Sequence, residues 1–158
     1  MITDDIGDRG QSLFCLQMTQ VCPGRTEPYF RLSFLGDKHP TFDYLVELVG
    51  TEPYFFFAQV KAMRLGYRQQ GSNRRLRVNV AKEDVQRMVA SPIPAYAFGI
   101  DVPLQLGYLL SLSGQRNAGL GGLPTRYTLD CNNLQRLWQE VQTFWVSQNM
   151  VRTPSYFV

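Results

Sequence analysis

The stretch from Tyr54 to Ala62 reads YFFFAQVKA, an aromatic run that fits a largely buried strand and yet carries Gln59 and Lys61 near its end. It is far shorter than the ~20 apolar residues that a membrane-crossing helix needs, so other parts of the same fold have to cover it. Two comparable runs lie upstream, Tyr29–Leu35 and Phe42–Val49. The GTEP between the second and third runs is short enough to join them as an antiparallel hairpin. Three successive strands are therefore the framework on which the rest must pack. With 158 residues and 44% hydrophobic content, the chain suits a single domain that can bury a core without staples.

The flanking segments read as helices and further strands. From Thr3 to Gln20, residues Ile6, Leu13, Phe14, Leu16 and Met18 supply a helical stripe. Arg64–Asn73 reads as a glycine- and arginine-bearing loop or extended hairpin, and Leu76, Val78 and Val80 then alternate with Arg77 and Asn79 as a fourth strand. A helix over Lys82–Ala90 has Val85, Met88 and Val89 on its apolar face and is stopped by SPIP. Ala95–Ile100 and Tyr108–Leu112 are two more strands, and the glycine-rich GLGGLP after them reads as a flexible connection, since it lacks the ending of a phosphate-binding P-loop. Asp130 or Asn132 caps a last helix whose stripe is Leu134, Leu137, Trp138, Val141 and Trp145. This order predicts an α+β fold, of α/β type, with a mixed central sheet flanked by helices.

Cys15, Cys22 and Cys131 contain no CxxC pair, and the single His39 has no metal-ligand partner at a known spacing. The expected reading is three structural thiols and a solvated turn histidine. The N-terminal MITDDIGDRG has acids and glycines where a secretory leader has a basic and then an apolar region, so the expected setting is the cytoplasm, with no membrane partner. Net charge is +3, unevenly spread: residues 61–90 hold eight bases and two acids, whereas residues 1–60 hold four bases and eight acids. Arg64, Arg68, Arg74, Arg75 and Arg77 follow one another with no acid between them. Arginine forks onto phosphate, which makes this tract a candidate nucleic-acid contact; a solvated basic loop is the alternative.

The chemistry-bearing constellation is Asp43 near the start of the second strand and Gln59-Val60-Lys61 near the end of the third. Strand alternation puts Gln59 and Lys61 on one face. A carboxylate, an amide oxygen and an ammonium across a hairpin form a small site for a divalent cation and a water. Asp43, the Gln59 side-chain oxygen and the Val60 carbonyl would bind Mg²⁺ or Mn²⁺, and Lys61 would hold or deprotonate the attacking water. No organic cofactor is implied. The site requires the second and third strands to pair in a register whose opposed residue numbers add to an even value, since an odd one sends Asp43 to the other face.

These residues resemble the PD-(D/E)xK restriction-endonuclease-like superfamily, with Asp43 matching its aspartate and Gln59-Val60-Lys61 its QxK variant of the Mrr-like nucleases. FLGDKHPTFDYLVEL, FFFAQVKAM and LPTRYTLD…NLQRLWQEVQTFW further resemble a bacterial family of unknown function within it. The resemblance runs from Thr3 to about Trp145 and implies an αβββαβ core, nuclease ancestry, DNA ahead of RNA as partner, and a homodimer. Where the pattern has a glutamate after a first-helix glycine, this chain has Gln11 after Gly10, which implies weak ion binding. Asp8, one turn earlier, is a candidate substitute, and Glu47 is an accessory candidate on the same strand face as Asp43, though about 13 Å along it. Two functions follow: a metal-dependent nuclease, or a catalytically silent relative that binds nucleic acid or protein.

Overall fold

The computed structural model describes residues 2–114 and 118–158. The chain opens with helix α1 (Ile2–Met18) and then forms β1 (Phe30–Phe34), β2 (Tyr44–Leu48) and β3 (Phe55–Met63). A hairpin of β4 (Tyr67–Gln70) and β5 (Asn73–Leu76) precedes helix α2 (Lys82–Ala90). Then come β6 (Ala95–Asp101), β7 (Leu106–Ser111), the short β8 (Leu123–Pro124) and helix α3 (Cys131–Gln148). The main sheet is ordered β1-β2-β3-β6-β7, and β4-β5-β8 form a second, smaller sheet. Within the main sheet β3 and β6 run parallel, the other neighbours antiparallel. The protein is thus α+β with a mixed sheet, and α1-β1-β2-β3-α2-β6 follows the αβββαβ order expected from the sequence.

The two faces of the main sheet carry separate cores. Even-numbered β3 residues Phe56, Ala58 and Val60 pack with Phe14 and Met18 of α1 and Leu134, Leu137 and Val141 of α3. The opposite face meets Val85 and Met88 of α2 together with Leu76 and Leu123 of the small sheet. Two glycines set these contacts. A Cβ on Gly10 of α1 would collide with the Cβ of Ala62, and one on Gly99 of β6 would lie 2.8 Å from Leu123 Cδ2 and 2.9 Å from Leu76 Cδ2. A bulkier residue at either place would hold the layers apart.

Three expectations change in the folded chain. GLGGLP is no loose connector: Leu123–Pro124 pairs with β5, and Leu120 bridges Val80, because Leu123 fills the second core. The alternation of Leu76, Val78 and Val80 does reflect burial, but the ladder of β5 ends at Leu76 and only Val80 beyond it makes a bridge. Cys22 and Cys131 are not free thiols; they form a disulfide across 109 positions, and Cys15 is the free cysteine. The fold brings the segment after α1 against the first residue of α3, a proximity that sequence spacing does not reveal. No helix of the described residues is long and apolar enough to cross a membrane.

Candidate functional site

β2 and β3 pair with Tyr44 opposite Ala58 and Glu47 opposite Phe55, the even register that the site requires. The ladder then ends on the β2 side while β3 continues to Met63, so the edge of β3 beyond Ala58 loses its neighbour at Asp43. Asp43 fills the gap. Its N–H donates to the Ala58 carbonyl at 2.9 Å, and its Oδ2 accepts from the Val60 N–H at 2.6 Å. The carboxylate therefore lies near the plane of the sheet, where β2 would otherwise have continued, instead of standing on a face. Regular alternation breaks here: Phe42 and Tyr44, two residues apart, enter opposite cores. N–H and C=O of one strand residue point to the same edge, so the Val60 carbonyl is directed to the Asp43 side as well.

Gln59 is buried, and its Nε2 donates to the Thr41 carbonyl at 3.2 Å while its Oε1 has no hydrogen-bond partner. Buried polar atoms are rarely left so, which makes that oxygen a candidate ligand. Lys61 is half-buried and close enough to lower the pKa of Asp43, yet the one ion pair among the described residues is Arg87–Asp84. Lys61 is thus not engaged in a direct salt bridge with Asp43 or Glu47. Burial nevertheless pushes the Asp43 carboxyl above the ordinary aspartate value; the Val60 N–H and Lys61 pull it down, and Asp84 and Asp37 add to the rise.

Several residues that support this corner have no conspicuous sequence signal. His39 is not merely solvated: its Nδ1 accepts from the N–H groups of Thr41 and Phe42 at 3.2 and 2.9 Å, and its ring lies against Phe42 and Phe57. It folds the loop that delivers Asp43. Thr41 is buried; its hydroxyl donates to Asp84 Oδ1 at 3.0 Å and accepts from Arg87 Nη1 at 3.1 Å, tying that loop to α2. Asp84 and Arg87 look in sequence like ordinary first-turn and last-turn helix charges.

Asp43, Gln59, Val60 and Lys61 come together, whereas the accessory residues lie elsewhere. α1 packs on the face opposite to Gln59 and Lys61, and Asp8 lines an open groove there with Arg9, Val102 and Gln105. Gln11 follows the buried Gly10 in the same helix and makes none of the hydrogen bonds of Asp43. Glu47 sits between Arg31 of β1 and Phe55 of β3. The basic tract is also divided. Arg68 and Arg75 face each other across the β4-β5 hairpin and donate to the carbonyls of Gly121 and Gly122, and Arg74 covers the Tyr67 ring at 3.6 Å. Arg64 and Arg77 are exposed. The Tyr67 and Tyr108 hydroxyls bond at 2.7 Å, and the registers put Tyr108 in one row with Gly99 and Lys61, so the hairpin is anchored on the face that carries Lys61.

Asp43, the Gln59 Oε1 and the Val60 carbonyl are hard oxygens of the kind that Mg²⁺ and Mn²⁺ accept, with one formal negative charge between them. Among the described residues no group of three His, Cys, Asp or Glu side chains is placed to hold a metal. The set fits a weakly held divalent cation whose other positions are water. Compared with known proteins, the chain matches no family model and no curated relative.

Proposed function

We propose that this protein is a divalent-metal-dependent phosphodiesterase of the PD-(D/E)xK type, acting on nucleic acid, DNA ahead of RNA, as a homodimer. The observation that carries the reading is the meeting of the Asp43 carboxylate, the unpartnered Gln59 oxygen, the Val60 edge and Lys61 where β2 parts from β3. Bound at those oxygens, Mg²⁺ or Mn²⁺ supplies positive charge at the scissile phosphate and acidifies water. Lys61 orients the attacking water and offsets phosphate charge; Asp43 is held by the Val60 N–H. The lack of a second carboxylate ligand favours, as the second reading, a scaffold that binds nucleic acid or protein without cleaving it. As to setting, the Cys22–Cys131 disulfide favours an oxidising compartment over the cytoplasm expected from the sequence.

Plasmid and single-stranded DNA incubated with millimolar Mg²⁺ or Mn²⁺ test the proposal. We expect slow cleavage by the wild type and a loss of about 10² or more in Asp43→Asn and Lys61→Ala, each still folded by circular dichroism. Intact DNA and RNA under all these conditions would leave only the second reading.

A further inference from the structure

The arginines of the β4-β5 hairpin do not form one basic strip. Arg74 and Arg75 turn toward a segment some fifty positions later and, with Arg126, Tyr127 and Thr125, line an open groove of about 480 Å³ over Leu110 of β7. No acidic side chain lines it, and among the described residues none of its arginines has a carboxylate partner. Three unneutralised guanidiniums in one concavity are the footprint of a polyanion.

These arginines are held in place for such a partner. The Arg74 guanidinium lies flat on Tyr67, which leaves its in-plane N–H groups unused, and Arg75 spends one N–H on the Gly122 carbonyl. Beside them Tyr127 is 40% exposed, with Arg126 5.2 Å from its ring centre. Its backbone carbonyl accepts from the Leu109 N–H at 3.0 Å, so the ring is mounted on the edge of the main sheet, not on a free loop. An aromatic ring next to arginines recognises the alternation of base and phosphate in an unpaired strand; a duplex hides its base faces. Leu110 lies opposite Ala97, and Ala97 opposite Gln59, so the groove is on the same sheet face as the candidate site and two strands away from it.

We propose that this groove binds single-stranded nucleic acid, with phosphates on Arg74, Arg75 and Arg126 and a base stacked on Tyr127. The inference rests on the reading of the protein as one that handles nucleic acid, and it names the strand state that it takes.

Fluorescence anisotropy with a labelled oligothymidylate, and with a mixed-sequence oligonucleotide alone or as a duplex, tests it in chelator, where no cleavage occurs. The wild type should bind both single strands more tightly than the duplex. Tyr127→Ala should weaken single-strand binding about tenfold, and Tyr127→Phe should restore it, since stacking needs the ring and not the hydroxyl. Arg74→Ala with Arg126→Ala should lower the slope of log affinity against log salt by about one unit. Asp43→Asn should bind like the wild type. Tyr127→Ala binding as well as wild type, duplex binding at least as tight as single-strand binding, or equal competition by inorganic polyphosphate would each overturn the groove assignment. Cleavage that survives Tyr127→Ala with unchanged affinity overturns the groove alone; single-strand binding without cleavage in any metal overturns the hydrolytic reading alone.

Discussion

Asp43 shows how a single residue is held for a task and not for stability. Its carboxylate accepts from the Val60 N–H but is buried, and the charges of Asp84 and Asp37 oppose its ionisation. A native pKa above the unfolded one means that the folded chain binds the proton more tightly. The associated stability is complete below the ordinary aspartate pKa and is lost as pH rises through the raised native value. At neutral pH ionised Asp43 therefore costs the fold something, and asparagine, which still offers Val60 an acceptor, should relieve it. We expect Asp43→Asn to raise the melting temperature at pH 7 and to level it with the wild type at the acid end. Added Mg²⁺ should raise the wild-type melting temperature and leave that of Asp43→Asn unchanged, since a cation bound to the native state stabilises it. Scanning calorimetry across pH, with and without the ion, checks both.

At the scale of elements, the sheet face that holds the site is positioned by how closely α1 approaches the other face. Gly10 lets that helix sit directly on Ala62 of β3. Alanine at this position would gain roughly 1 kcal/mol of helix propensity. Overpacking against a neighbouring Cβ costs typically 1–3 kcal/mol, so packing should win. Gly10→Ala is expected to lower stability by about 1 kcal/mol in urea unfolding, whereas Gly7→Ala, with nothing within 4 Å of its Cβ, should be neutral or stabilising. The same reasoning explains why β3 can continue past β2: its Ala62 end is supported from one side by α1 and along its other edge by β6.

At the scale of the whole molecule, the disulfide closes the chain from the end of the first helical segment to the start of the last. A cross-link over a loop of about 100 residues restricts the unfolded ensemble by up to ~4.7 kcal/mol in the chain-entropy account, and measured losses are often smaller. Reduction, or Cys22→Ser with Cys131→Ser, should therefore lower the unfolding free energy by about 2–5 kcal/mol, read in denaturant with and without reductant; Cys15→Ser should not reproduce the loss. Much of this architecture is legible in the residues themselves. Period-two burial marks β2, β3 and β6, period-3.6 burial marks α1 and α3, and Asp130 does cap α3 through the Asn133 N–H. The opposition of Asp43 to the QVK segment follows from a short hairpin, because turn length and core pattern together fix a register. Local pattern has no access to contacts between distant segments. It could not pair Cys22 with Cys131, bring Leu123 onto β5, enlist His39 and Thr41 behind Asp43, or gather Arg126 and Tyr127 with Arg74. Composition and periodicity determined which strands and helices exist and which faces are apolar; only the tertiary structure decided which side chains from remote segments share a corner, since that depends on how the layers stack once their apolar faces are buried.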